Sequence, residues 1–332
     1  MLGHDAAQST VADLHAGSRR ALSKCLSLIE STRPDDRSLA YDILEHCSAS
    51  RDGSWRIGCT GPPGVGKSTF IEQLGMQLLS VGRRVAVLAV DPSSRRTGGS
   101  ILGDKVRMPL LSTQENAFVR PTPSKATLGG AAPSTRDAIT ICEEAGFDTI
   151  IIETVGVGQS ETDVADMTDM FVLLALPNSG DDVQGIKRGI MEVADAIVVT
   201  KADVDPAAAN RSVATLTGAL RYMSHADSDR GTPVLSCSSV SGEGIDEVLR
   251  QIESFFDDTR NEHILRRRRH QRGEWFDRAI ASELIVRLSG HGAFHAASEA
   301  MRRQCIEGTV APSLAVHRLL GRVQLTVREE PT

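Results

Sequence analysis

From Trp55 onward, short apolar runs alternate with longer segments of helical period. The runs are WRIGCT, RVAVLAV, DTIIIE, MFVLLAL, AIVVT and PVLSC. They are continuous rather than alternating, as strands covered on both faces are. Between them, 67–81, 133–145, 186–194, 206–222 and 245–256 carry apolar residues at helical spacing. Repeated strand–helix units joined by right-handed crossovers predict an α/β fold, a doubly wound and mainly parallel sheet.

The flanks read differently. Leu22, Leu26 and Ile29, and then Leu39, Ile43 and Leu44, recur at helical spacing on either side of Pro34, which predicts two N-terminal helices. After Phe256 the strand signal fades. The stretch RNEHILRRRRHQRGEWFDRAIASELIVRLSG predicts one long amphipathic helix, followed by shorter helices to about Leu320. The expected organisation is an N-terminal helical segment over 1–54, the sheet domain over 55–256 and a helical extension over 257–332.

Composition narrows the class. Of 332 residues, 40% are apolar and 24% charged, the balance of a globular protein. A net charge of −6 gives no general attraction to nucleic acid or anionic lipid, so neither is an expected partner. The run Arg266-Arg267-Arg268-Arg269-His270-Gln271-Arg272 lacks interleaved aromatics and reads as a solvated helix face or a salt-bridged arm. Six cysteines stand without a CxxC pair, and His46-Cys47, His291 and His295 lack neighbours at metal-ligand spacing. With no signal-like N-terminus and no apolar run long enough to span a bilayer, a cytoplasmic location is expected.

One motif carries definite chemistry. Gly61-Pro62-Pro63-Gly64-Val65-Gly66-Lys67-Ser68, followed by Thr69, matches GxxxxGK[ST] directly after WRIGCT and at the start of a predicted helix. Glycines let backbone N–H groups converge on a phosphate, the helix N-terminus adds partial positive charge, Lys67 reaches the β and γ oxygens, and Ser68 ligates Mg²⁺. Asp91 and Glu153 end predicted strands at the same carboxyl edge, where they can complete the metal site. Asp104, in the Gly-rich stretch TGGSILGDK, lies on a loop able to reach it. Glu153-Thr154-Val155-Gly156 reads as an acid followed by a switch glycine, whose N–H contacts a γ-phosphate. The catalytic candidates are therefore Lys67, Glu153 and Gly156. Val157 stands where Ras-type switches carry a water-orienting Gln, which predicts slow basal hydrolysis.

Thr200-Lys201-Ala202-Asp203 follows AIVVT where guanine-reading proteins carry NKxD. The carboxylate of Asp203 accepts from N1–H and the N2 amine of guanine, and adenine offers no such pair; a buried acceptor left unpaired rejects ATP. Thr200 in place of Asn removes an amide that normally ties this loop to the phosphate loop and base. Ser238-Ser239 after PVLSC matches the last guanine-contacting loop, usually Ser-Ala, in which a backbone N–H meets O6. GTP and GDP are the expected nucleotides.

Read together, GPPGVGKST, VDPSSRRTGGSILGDKVRM, RPTPSKATLGG, FDTIIIETVGVGQSE, SGDDVQGIKRGIMEVAD and SGEGIDEV resemble the MeaB/ArgK family of cobalamin-enzyme GTPases, over roughly 55 to 256. The resemblance implies a SIMIBI-class P-loop fold and a homodimer joined through the C-terminal arms. It also implies a B12-dependent acyl-CoA mutase as partner, such as methylmalonyl-CoA mutase, loaded with adenosylcobalamin and protected under GTPase control. In that pattern Asp181, Asp182, Gln184 and Lys187 belong to a third switch that meets the partner. Two rival readings remain: a protein kinase of the type once ascribed to ArgK in amino-acid transport, and a metal-insertion GTPase.

Overall fold

A computed structural model describes residues 2–31, 33–47, 53–91, 108–123, 132–154, 160–177, 188–221, 231–258 and 262–324. The chain divides into two compact units, Met1–Arg272 and Gly273–Thr332. The first begins with helices α1 (Leu2–His15), α2 (Arg19–Ile29) and α3 (Pro34–Glu45) and continues through β1 (Trp55–Thr60), α4 (Lys67–Ser80), β2 (Val85–Asp91), α5 (Pro109–Ser112), β3 (Ala117–Pro123), α6 (Ala132–Glu144) and β4 (Thr149–Thr154). There follow α7 (Ser160–Ala165), β5 (Met170–Ala175), α8 (Arg188–Glu192), β6 (Ala196–Val199), α9 (Pro206–Leu220), β7 (Val234–Ser236) and α10 (Ile245–Asp258). Helix α11 (His263–Gly290) runs across the division, and α12 (Gly292–Ile306) and α13 (Pro312–Leu320) lie in the second unit.

The sheet is parallel throughout the described residues, in the order β3-β2-β4-β1-β5-β6-β7. Strands β1, β4, β5 and β6 are buried at every position, which is why their sequences are largely apolar and do not alternate. Helix α4 supplies Phe70, Ile71, Leu74 and Leu78 to the core beside Ile57, Val87, Ile151 and Val172. Burying those four side chains fixes the direction of the helix and so the aim of its N-terminus.

Strand β3 is an addition to the expected set. Its sequence AFVRPTP contains Pro121 and Pro123, which cannot donate to a ladder, and it pairs with β2 at the end of the sheet, where such residues are tolerated. The N-terminal helices number three over the described residues, not two: α1 precedes the two expected ones and is set off by Gly17 at φ +79°. These helices dress the β3 end of the sheet. Arg19 of α2 donates to the carbonyls of Gln114 and Ala117, and Arg120 of β3 forms a two-pronged pair with Glu30, Nη2–Oε2 2.6 Å. Covering the terminal strand in this way protects its open backbone groups.

The arginine run is the second departure. Arg266, Arg269 and Arg272 are exposed, but Arg267 and Arg268 turn inward beneath the amino edge of the sheet. Arg268 is 1% exposed and grips Asp169, itself fully buried, through Nε–Oδ1 2.7 Å and Nη2–Oδ2 2.6 Å, and donates to the Ser54 carbonyl at 2.7 Å. Asp169 also accepts the Arg56 N–H at 3.0 Å, and Arg56 pairs with Glu143 at 2.7 Å. Arg267 forks onto Asp195, which in turn accepts the N–H of Phe171. These are intrachain pairs that pin the first turns of α11 under β1, β5 and β6.

Removing one partner of a buried, fully hydrogen-bonded pair strands the other charge, at a cost of about 3–5 kcal/mol. Arg268→Ala is therefore expected to lower unfolding stability by about that amount, read as a shift in urea midpoint at unchanged slope. Arg269→Ala, on the exposed side of the same turn, is expected to change it by less than about 0.5 kcal/mol.

Candidate functional site

At the carboxyl edge, β1 ends at Thr60 and six residues lead into α4. A Cβ on Gly61 would meet the Leu174 carbonyl oxygen at 2.6 Å, so only glycine fits against β5 there. Gly64 and Gly66 have φ of +78° and +91°, a region closed to most side chains. Val65, between them, is fully buried and anchors the loop in the core. Gly66 caps α4 with no side-chain hydrogen bond, which leaves the first N–H groups of the helix to an anion. The Lys67 ammonium folds back over the loop and donates to the carbonyls of Gly61 at 2.7 Å and Pro62 at 3.2 Å.

The acid stands next to this loop because β4 pairs with β1, Glu153 opposite Cys59. Glu153 is buried, and its Oε1 accepts the Ser68 hydroxyl at 3.0 Å. Behind them the Thr60 and Thr154 hydroxyls bond across the two strands at 2.7 Å, a contact the sequence did not single out. Ser68 and Glu153 thus bring a neutral and an anionic oxygen to one point, a donor set of the hard type that Mg²⁺ prefers. Asp91 is the last residue of β2, which flanks β4; its side chain lies outside the described residues, as do Asp104, Gly156, Asp181, Asp182, Gln184 and Lys187. Burial, reinforced by the Glu153 charge, drives the Cys59 thiol far above its ordinary pKa and keeps it inert.

The third component follows β6. Thr200 is buried, its N–H donates to the Ala175 carbonyl at 2.9 Å, and its hydroxyl donates to the Val65 carbonyl at 2.7 Å, with Ala175 O again at 3.3 Å. The tie to the phosphate loop therefore persists without the asparagine amide. Lys201 takes φ +55°, the one left-handed non-glycine among the described residues, and its Cε lies 3.9 Å from where a Gly66 Cβ would be. The lysine stem thus runs along the phosphate loop, and Asp203 is left exposed at the edge.

Ala202 N–H donates to the Cys237 carbonyl at 3.1 Å, docking this loop onto Ser238-Ser239 after β7. The Ser238 hydroxyl is occupied locally, accepting the N–H groups of Val240 and Ser241. The phosphate loop, Glu153, Thr200 to Asp203 and Ser238-Ser239 accordingly share one edge of one sheet, where open α/β sheets bind ligands.

A glycine phosphate loop with its serine–acid pair, and a Thr-Lys-x-Asp loop hydrogen-bonded to it, define a P-loop nucleotide hydrolase. The family described as methylmalonyl Co-A mutase-associated GTPase MeaB matches residues 22–293. A Caulobacter vibrioides relative is 47% identical over 312 residues, 93% of this chain and 95% of its own. Mouse methylmalonic aciduria type A homolog, a mitochondrial protein, is 41% identical across 92% of this chain and 76% of its own length. The crystal structure of a LAO/AO transport system kinase superposes at a TM-score of 0.73 with 32% identity, covering 95% of this chain and 96% of the other. The chain belongs to the MeaB family, and it is a GTPase.

Gly66→Ala forces a side chain into the left-handed region at a cost of about 1–3 kcal/mol. Because Gly66 opens the phosphate-facing turn, the expected result is a loss of GDP affinity of roughly tenfold, measured by displacement of a fluorescent nucleotide.

Proposed function

We propose that the protein is a Mg²⁺-dependent GTP-hydrolysing switch that binds a B12-dependent acyl-CoA mutase, gates its loading with adenosylcobalamin, and protects or reactivates it. The observation that carries the nucleotide half is the Thr200–Val65 hydrogen bond of 2.7 Å, which joins the loop bearing Asp203 to the phosphate loop. The partner half is supported by the family's description and by the mouse relative's name. Methylmalonyl-CoA mutase is the mutase those names favour.

On this reading Gly61 to Thr69 enclose the phosphates, and Lys67 leaves the Gly61 and Pro62 carbonyls to meet the β and γ oxygens. Ser68 and Glu153 would hold Mg²⁺ together with Asp91 and Asp104, and the ion when bound would supply positive charge to the phosphates. Gly156 contacts the γ-phosphate through its N–H, so the segment after β4 responds to hydrolysis. Asp203 takes the N1–H and N2 amine, Lys201 lies along the base, and Ser239 meets O6 through its backbone. Asp181, Asp182, Gln184 and Lys187 meet the partner.

The helical extension over 257–332 acts as the dimer arm on this proposal. Phe276, Ile280 and Leu284 recur every fourth residue on α11 and are exposed on the single chain, as an interhelical contact requires. No helix among the described residues is long and apolar enough to cross a membrane.

A kinase reading is favoured by the name of the solved relative. Transfer of γ-³²P label to a protein would support it, and release of free phosphate alone would oppose it.

Steady-state GTP hydrolysis with Mg²⁺ is expected to be slow, and to rise at least several-fold with methylmalonyl-CoA mutase while ATP hydrolysis stays at background. Lys187→Ala is expected to abolish the stimulation and leave GDP affinity within about twofold; an unstimulated wild type would remove the mutase as partner. Asp203→Asn is expected to weaken GDP about a hundredfold, since two hydrogen bonds to a charged acceptor are altered. The same variant is expected to favour XDP, whose 2-oxo group accepts from the amide. Retained GDP preference would dismiss the base assignment.

A further inference from the structure

Helix α4 carries two acid-linked contacts on one of its faces. Ser68, in the first turn, donates its hydroxyl to the Glu153 carboxylate at 3.0 Å. Glu72 follows one helical turn later, which places it on the same face. It is 7% exposed, deep burial for a glutamate, and its Oε1 accepts two backbone N–H groups, from Leu110 at 2.7 Å and Leu111 at 3.3 Å. Those groups open α5. The N-cap residue of α5, Met108, makes no side-chain capping hydrogen bond, and its first residue, Pro109, has no N–H to satisfy. The cap of α5 is therefore supplied by a different helix.

Packing seats α5 against the same stretch of α4. A Cβ on Gly75 would sit 2.7 Å from Cδ2 of Leu111, so the two helices meet closely one turn past Glu72. Met108 and Leu111 are fully buried, in the core that Phe70, Ile71 and Leu74 of α4 also enter. Apolar burial is non-directional and leaves the first residue of α5 free to shift. Hydrogen bonds to a carboxylate oxygen are directional, and the pair made by Glu72 fixes where α5 begins.

Helix α5 is the first described element after 92–107, and Asp104 stands shortly ahead of Met108 in that stretch of sequence. We propose that Glu72 is a positioning residue for the metal site: by capping α5 it moors the trailing end of the segment that carries Asp104 to the helix that carries Ser68. Ser68 and the mooring then share one rigid element, a turn apart, so two parts of the metal site keep a common reference. The inference rests on the assignment of Asp104 to Mg²⁺ above.

The test uses the full-length protein and the Mg²⁺ concentration that half-maximally tightens binding of a non-hydrolysable GTP analogue, read by displacement of a fluorescent nucleotide. Glu72→Met keeps the length of the side chain and removes both acceptor oxygens. It is expected to raise that concentration about tenfold, the worth of one or two such hydrogen bonds, and to leave GDP affinity in EDTA within about twofold. Glu72→Gln keeps one acceptor oxygen and is expected to stay within about threefold of wild type, because hydrogen bonds to a neutral acceptor are weaker. Asp104→Ala is expected to raise the Mg²⁺ requirement as well, and adding Glu72→Met to it is expected to change nothing more, since one residue acts through the other. A wild-type requirement in Glu72→Met overturns the inference. So does a loss that adds in full to that of Asp104→Ala, or one equally present in GDP affinity without Mg²⁺, either of which makes Glu72 a general support of the phosphate helix. Should Glu72→Met not fold, Glu72→Asp, which shortens the reach by one methylene, is expected to give the same shift in smaller measure and is read by the same criteria. Asp104→Ala separates the two levels of failure: if it raises the requirement and the Glu72 variants do not, the mooring alone is wrong, whereas a wild-type requirement in Asp104→Ala removes the metal assignment and this inference with it.

Discussion

At the end of β1 the chain turns within six residues from a fully buried strand into a helix whose leading N–H groups have no capping side chain. The Leu174 carbonyl presses so close to Gly61 that no Cβ fits, and Val65 is sunk into the core. The loop is thus held by the strands and core around it as well as by its own contacts. Because β1 lies between β4 and β5, the same strand that fixes the loop also fixes Glu153 on one side and the floor beneath Gly61 on the other. Strand spacing sets Glu153 opposite Cys59, and the first turn of α4 brings Ser68 to it. A metal site assembled on this frame inherits its precision from the fold.

The two edges of the sheet treat charge in contrasting ways. At the amino edge Arg56, Arg267 and Arg268 are each matched to a carboxylate, with backbone groups taking the remaining lone pairs. Buried pairs of this kind add little net stability over apolar packing, but they tolerate only one arrangement. Their value here is registration: they decide which turn of α11 sits under which strand. At the carboxyl edge the polar groups are matched less completely. Asp203 is exposed at the end of the base loop. Stability is satisfied at one edge and recognition capacity is kept at the other.

The order of elements and the phosphate loop were legible because both rest on local signals. Buried parallel strands are apolar at most positions on both faces, and the loop's glycines at 64 and 66 are demanded by backbone angles. Strand β3 was not legible, since Pro121 and Pro123 argue against a strand unless its place at the sheet's end is already known. The inward turn of Arg267 and Arg268 was hidden for a related reason. Within RRRRHQR nothing local distinguishes a side chain that meets Asp169, 99 residues earlier, from one that meets water. The chemistry of Thr200 was half legible: its position announced the base loop, but whether its hydroxyl replaced the lost amide depended on a carbonyl 135 residues away.

Two hydroxyls at one edge illustrate how context assigns function to a single chemical group. Ser68 faces a carboxylate and is suited to share a cation with it. Thr200 faces two carbonyls and becomes a fastener. The fastener also has a consequence for coupling. Thr200 hangs the Asp203 loop from the carbonyl of Val65, so the base loop and the phosphate loop are joined by a direct hydrogen bond. On the proposed assignment, a nucleotide that strains the base loop also disturbs the amides around its own phosphates. Selection of guanine would then act on hydrolysis as well as on affinity, through one hydrogen bond of 2.7 Å.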